Sequence, residues 1–250
     1  MVQANIVKSP IVRQVLESID RGHFIKDNPY DDTPQFIGNL NSDNRRQTIS
    51  APHMHAHVLE EFVPVLESRH QDRPIRILDV GCGSGYLTAC FGKWIQLLDN
   101  KNKVSAQHRV CGIDVRPELI DFTKQNLANY RATQDQGSGE DLFRIELRDG
   151  WMGWSKEGPF DVIHVGAAAE RLPIHLCQQL KVGGMMIVPV GAVDTVQSLY
   201  KVERVADEGA STSSSASSMA TFVPEDFAIS KLFGVKYVPL VQHPDEGKAA

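Results

Sequence analysis

Cysteine is scarce in this chain of 250 residues. There are four, Cys82, Cys90, Cys111 and Cys177, and none forms a Cys-x-x-Cys pair. Each sits in or beside an apolar segment, so they read as reduced, buried thiols of a cytosolic protein rather than a disulfide framework. Long hydrophobic runs are also missing. None approaches the roughly 18 residues that suggest a membrane span. Met1 to Pro10 lacks a basic stretch followed by an apolar one, so no secretory signal is read there. Basic excess is absent too: 26 Lys and Arg against 31 Asp and Glu give a formal net charge of -5. That balance removes the electrostatic case for nucleic acid. What is present is 42% hydrophobic residues, enough for a sizeable core. The expectation is one domain over residues 1–250.

The pattern of apolar residues divides the chain. Ser9-Pro10 suits a helix start, with serine as N-cap and proline at N1. Ile11, Val12, Val15, Leu16 and Ile19 follow at helical spacing, to a stop near Arg21-Gly22. Residues Asp27 to Arg46 read as a long loop. A second helix starts at Ser50-Ala51-Pro52 and runs through Leu59, Phe62 and Leu66, with Pro64 expected to kink or interrupt it. These first 70 residues are expected to form a helical and loop region ahead of the core.

From Ile75 strands and helices alternate. Strands are expected at Ile75 to Val80, Val110 to Ile113, Phe143 to Leu147, Phe160 to Val165 and Met185 to Val190. Helices fall at Tyr86 to Leu98, Pro117 to Tyr130 and about Ile174 to Leu180, and Asp99 to His108 reads as a loop. Such alternation implies a doubly wound, mostly parallel α/β sheet covered on both faces. Gln197 to Val205 and Leu232 to Leu240 could pair as antiparallel edge strands, completing a core over residues 71–240. Ala206 to Ala220 is serine-rich and cannot bury a core, so it reads as a mobile insertion. Asp245 to Ala250 reads as a frayed tail.

Three features then fall at consecutive strand ends. Asp79-Val80-Gly81-Cys82-Gly83-Ser84-Gly85 lies between a strand and a helix, where glycines permit a tight turn and close approach to a ligand. Asp114 ends the next strand, where a carboxylate can accept from both ribose hydroxyls. Asp149-Gly150 follows the third strand and can offer an acceptor and a backbone donor to adenine. Each has a bland alternative: a plain glycine turn, an Asp-x-x-Pro cap, an Asp-Gly turn. Together, on the carboxyl edge of the sheet, they point to a nucleoside ligand. The loop is Asp-x-Gly-x-Gly-x-Gly, not the Gly-x-Gly-x-x-Gly of a pyrophosphate site. Asp79 at its entrance would repel pyrophosphate and suit a cationic sulfonium ligand with an ammonium group, which favours S-adenosylmethionine.

The acceptor is read from elsewhere. After the fourth strand, Val165-Gly166-Ala167-Ala168-Ala169 does not match the Asn/Asp-Pro-Pro-Tyr motif of adenine N-methyltransferases. Thr48-Ile49-Ser50-Ala51-Pro52-His53-Met54-His55-Ala56, by contrast, resembles the signature segment of the protein-L-isoaspartate O-methyltransferases. The resemblance extends from Asp20-Arg21 and Asn28-Pro29-Tyr30, through Asp79-Val80-Gly81 and Ile163-His164-Val165-Gly166, to Tyr237-Val238-Pro239-Leu240. It implies a class I methyltransferase fold with seven strands and a monomer in the cytosol. S-adenosylmethionine would be the cofactor, S-adenosylhomocysteine its product, and isoaspartyl, and also D-aspartyl, proteins the substrates. It also implies that Ser50 is the active-site hydroxyl. Thr48, Ile49, Ser50, His55, Ser84, Asp114, Val115, Asp149 and Gly150 would line the pocket, joined by Asp79, Gly81, Gly83 and Gly85 of the loop.

Ser50 has an ordinary alternative as the N-cap of the helix at Pro52. His53, His55 and His57 form His-x-His-x-His, but on a helix His55 points away from the other two, so no metal is expected. No general base is needed, because an isoaspartyl carboxylate with a pKa of roughly 4 is already ionised. The chain departs from the family in two places: a helix usually precedes Asn5-Ile6-Val7, and the loop between Gly38 and Thr48 is lengthened around Asn41 to Arg46. Two other readings stay open: a methyltransferase for a different carboxylate, and a module that binds the cofactor without turnover.

Overall fold

A computed structural model describes residues 5–37, 47–69, 73–102, 107–133, 142–205 and 224–242. The serine-rich segment, most of the lengthened loop and the tail after residue 242 lie outside the described residues.

The central sheet has seven strands: β3 (Arg76–Val80), β4 (Arg109–Asp114), β5 (Phe143–Leu147), β6 (Phe160–Val165), β7 (Leu180–Val190), β8 (Gln197–Arg204) and β9 (Phe227–Val235). Their order is β5-β4-β3-β6-β7-β8-β9. The first five run parallel, and β7, β8 and β9 pair antiparallel. β6 is buried at all six positions, as expected of a central strand covered on both faces. β9, at the edge, is mostly exposed. The order in which successive strands are added reverses at β3, which has β4 on one side and β6 on the other, both parallel to it. A ligand crevice is expected outside the carboxyl ends of the strands at such a switch point.

Helices α1 (Pro10–Ser18), α2 (Pro52–Arg69), α3 (Tyr86–Asn102) and α4 (Pro117–Ala132) contribute to one core cluster, with Ile77, Val110, Val162 and Ile187 of the sheet. Alternate residues Leu78, Val80, Ile113, Ile163 and Val188 point to the opposite face. There the short helix α5 (Ile174–Gln178) and Trp154 cover them. Trp94, Phe62 and Phe91 are fully buried in the first cluster. Each contributes about 1.5–3 kcal/mol relative to exposure.

Several boundaries move for physical reasons. Ser9 makes no cap bond to α1. Its hydroxyl donates to the Glu60 carboxylate at 2.7 Å, which also accepts the N–H groups of Lys8 and Ser9. α2 begins one residue later than a Ser50 cap requires: the first helical bonds, from Met54 and His55, go to the Ala51 carbonyl. Asp32, distant in sequence, accepts the His53 N–H at 2.9 Å instead. α2 continues through Pro64, which is exposed, so its ring meets solvent. α3 extends over Asp99 to Asn102, where a loop was expected, and Asp99 engages His108 at 3.0 Å. β7 starts at Leu180, before the glycine pair, and its ladder with β6 shifts register there. The last strand ends at Val235, five residues before Leu240. Beyond it Tyr237 gives its N–H to the Gln197 side chain, and Pro239 has no N–H with which to continue a ladder. A two-stranded sheet, β1 (Gln35–Phe36) with β2 (Thr48–Ile49), was not foreseen and delivers Thr48 and Ile49 to the site.

Candidate active site

The glycine loop is fixed by backbone conformation. Gly81, Gly83 and Gly85 have φ of 74°, 55° and 82°. A side chain at any of these positions costs roughly 1–2 kcal/mol. The loop is pinned from below by the Ile113 carbonyl, which accepts from Gly81 and Cys82, and laterally by Gly166 donating to Val80. From α4, Thr123 donates to the Gly83 carbonyl at 2.7 Å and Asn126 to that of Ser84 at 2.9 Å.

Around this loop lie two adjoining cavities. The larger encloses about 630 Å³, within the roughly 300–1,000 Å³ usual for small-molecule sites. Gly81, Gly83, Asp114, Val115, Gly150 and Thr48 help to line it, and residues 238–241 cross one side. That crossing segment is held by Ala168, which donates to Val238 and accepts from Leu240, and by the Trp151 indole donating to Leu240. Asp114 is buried at the end of β4. One oxygen accepts from Gly83 and the other from Arg116. Burial pushes its carboxyl up to about 6, against the pull of those backbone donors.

The smaller cavity, of about 30 Å³, is lined by Thr48, Ile49, Ser50, His55, Asp79, Ser84 and His164 among others, and shares Thr48, Gly81, Gly83 and Gly166 with the larger. Beyond the shared glycines, its walls are largely polar side chains. Asp79, fully buried, accepts from Thr88 at 2.6 Å and is bound to His164 Nδ1 at 2.8 Å. Asp79 and His164 are direct partners on β3 and β6. His55 meets Arg21 through Nδ1 at 3.1 Å, and Arg21 also donates to the Ser50 carbonyl at 2.7 Å. The Ser50 hydroxyl bonds the Tyr237 phenol, whose pKa burial raises to about 12.

Eleven of the thirteen expected site residues line one cavity or the other. Two do not. Gly85 shapes the turn, with Thr123 occupying the space that a β-carbon there would need. Asp149 is buried and accepts the Trp151 N–H at 2.8 Å, while its neighbour Gly150 reaches the cavity. Ser50 is not the N-cap of α2, so that ordinary reading falls. Arg21, His164 and Tyr237 were missed as site residues. His164 carried a signal: a polar residue inside an otherwise apolar strand needs a partner. Arg21 and Tyr237 carried none beyond their place in the resemblance. His53 and His57 face each other at 6.5 Å while His55 is turned inward. Among the described residues no group of three His, Cys, Asp or Glu is placed to hold a metal. All four cysteines are buried, and burial raises each thiol pKa.

The chain is similar to known proteins in sequence and fold. The family model described as protein-L-isoaspartate(D-aspartate) O-methyltransferase matches residues 1–243. A protein-L-isoaspartate O-methyltransferase of Triticum aestivum is 38% identical over 217 residues, covering 86% of this chain and 84% of the relative. One from Ignicoccus hospitalis is 30% identical over 246 residues, covering 97% and 94%. A Plasmodium falciparum crystal structure, described as a protein-L-isoaspartate O-methyltransferase in complex with S-adenosyl-L-homocysteine, superposes with a TM-score of 0.70. It is 31% identical and covers 96% of this chain and 94% of that one.

Proposed function

This chain belongs to the protein-L-isoaspartate(D-aspartate) O-methyltransferase family, and from that premise we infer how its two cavities divide the work. It is an S-adenosylmethionine-dependent methyltransferase of protein repair that esterifies the free carboxylate of L-isoaspartyl, and also D-aspartyl, residues in damaged proteins.

The larger cavity suits the cofactor. The observation that carries this is the buried Asp114 carboxylate beside the left-handed glycine loop, an acceptor placed where ribose hydroxyls would lie. Gly81, Gly83, Val115 and Gly150 would hold the nucleoside, and Asp79 and Ser84 the amino-acid end. When bound, S-adenosylmethionine supplies a methyl group made electrophilic by its sulfonium, which a carboxylate takes without a general base.

The smaller cavity would take the cofactor's amino-acid end on its Asp79 and Ser84 wall, and it suits the acceptor on its Ser50 wall. Ser50 donates its hydroxyl to one carboxylate oxygen and leaves the other free to attack. Thr48, Ile49 and His55 narrow the space and exclude water, which would otherwise shield the carboxylate. Residues 1–70 supply this substrate side and residues 71–240 the cofactor core, acting as one unit. No helix among the described residues is long and apolar enough to cross a membrane. By the family resemblance the reading is a monomer; the buried thiols favour the cytosol, and a net charge of -5 offers no electrostatic attraction to nucleic acid.

Product chemistry tests the reading. After incubation with S-adenosylmethionine, mass spectrometry of an isoaspartyl peptide should find a methyl ester that gives way to a succinimide. Methylation at another side chain, or an unchanged peptide with cofactor bound, would assign the site to a different acceptor or to binding alone.

A further inference from the structure

Arg21 is the least expected occupant of the site. It follows α1 on a short 3-10 turn (Arg21–His23) and is only 5% exposed. Among the described residues it makes no ion pair, and its Nε has no hydrogen-bond partner. A buried cation with no carboxylate in contact is costly; the carboxylate whose charge reaches it, Asp32, is itself bound to His53. What it does touch is specific. One terminal nitrogen donates to the Ser50 carbonyl at 2.7 Å and the other lies 3.1 Å from His55 Nδ1. Its planar head sits 5.3 Å from the Tyr86 ring centre.

Guanidinium nitrogens only donate, so Nδ1 of His55 must accept, and the ring must carry its proton on Nε2. That nitrogen belongs to the edge turned away from Arg21, and His55 lines the small cavity beside Ser50. Among the described residues it has no other partner. We propose that Arg21 is a positioning residue: it locks His55 as a neutral Nε2–H donor, so that the imidazole and the Ser50 hydroxyl together present two donors to a carboxylate. The carboxylate is that of the isoaspartyl acceptor or the cofactor's own, and the inference rests on the functional reading above only for that ligand.

The surroundings keep the ring neutral. Desolvation and the Arg21 charge hold its pKa well below the ordinary value. The other groups facing it are His164 from β6, His53 from its own helix and the Tyr86 ring from α3, 5.0 Å away. Asp79, on the same cavity, is engaged by His164 and Thr88 rather than by His55.

The test is the ring itself. Long-range nitrogen–proton NMR on the full chain labelled in histidine, with His55→Gln to assign the signal, reads the tautomer directly. Wild type should show a neutral ring protonated on Nε2 between about pH 6 and 8. Arg21→Met should populate the second tautomer and raise the ring's pKa. It should also lower kcat/KM on an isoaspartyl peptide about ten- to hundredfold, the scale of a hydrogen bond to a charged group. Arg21→Lys keeps the charge without the fork, and should keep the ring neutral with a smaller loss, which covers a methionine variant that does not fold. Calorimetry separates the sources: weakened cofactor binding assigns the cofactor carboxylate, a change confined to the peptide assigns the acceptor. A wild-type ring protonated on Nδ1 or on both nitrogens overturns the proposal, as does a folded Arg21→Met protein with unchanged tautomer and turnover. Failure of methyl transfer to isoaspartyl peptide would sink the functional reading and leave the tautomer result standing.

Discussion

The two cavities are built by opposite means. The larger rests on backbone: three left-handed glycines, carbonyls that hold them, and one carboxylate at a strand end. The smaller is lined largely by side chains from β2, α2, β3, α3 and β6, which Arg21 after α1 and Tyr237 after β9 hold from behind. A contiguous loop can serve a cofactor that never changes. An acceptor site that must strip water from a charged group needs donors converging from several directions, and these come from far apart in the chain.

The largest effect should separate the halves. On the proposed division of the site, Ser50→Ala removes a donor from the acceptor side. It should lower kcat on isoaspartyl peptide by about 10²–10³-fold, or roughly 2.7–4 kcal/mol. Cofactor affinity by calorimetry should stay near wild type. Ser50 is not the cap of α2, so only its bond to the Tyr237 phenol is lost and stability should fall by about 1 kcal/mol; a large fall with normal turnover would make it structural.

The next concerns charge on the cofactor side. The Asp114 carboxyl is raised from 3.8 to about 6. The native state therefore holds this proton where the unfolded state has lost it. Its contribution to stability is fully present below about pH 3.8 and is lost as pH rises through about 6. Asp114→Asn lacks this term. The shift of 2.2 units, from 3.8 to 6, corresponds to about 3 kcal/mol as an upper bound. Without cofactor, the variant's unfolding free energy relative to wild type should gain by up to that amount between about pH 4 and 7. A difference independent of pH would mean that Asp114 is not desolvated. Asp114→Ala, for its part, should weaken S-adenosylmethionine binding by about 1.5–3 kcal/mol. Unchanged affinity in a folded variant would remove Asp114 from the site.

The smallest effect sharpens the boundary. Tyr237→Phe removes the phenol that bonds Ser50 and leaves the ring in place. Turnover should fall by about 0.5–1.5 kcal/mol with cofactor affinity unchanged. A loss in affinity instead would place Tyr237 on the cofactor side.

The same contrast explains what was legible before the structure. The parallel sheet could be read because its central strands, buried on both faces, are mostly apolar runs, its edge strand β5 alternates apolar and charged residues, and turn residues mark their ends. Phe143–Leu147 and Phe160–Val165 fell where expected to the residue. The glycine loop and Asp114 were legible for the same reason, being local. The N-cap assignments of Ser9 and Ser50 failed because Glu60, Asp32 and Tyr237 outcompete local bonds from a distance. The last strand was misplaced because Tyr237 and Leu240 continue an apolar pattern while their backbone bonds go to Gln197 and Ala168. Arg21 was invisible as a site residue because nothing local marks an arginine that folds inward.

The most direct test of the account is competition between matched peptides. Wild-type protein is given labelled S-adenosylmethionine with two peptides of one sequence, one carrying isoaspartate and the other aspartate. The account predicts label on the isoaspartyl peptide alone, in a base-labile ester. Equal labelling of both peptides, or label only on the aspartyl form, would contradict it.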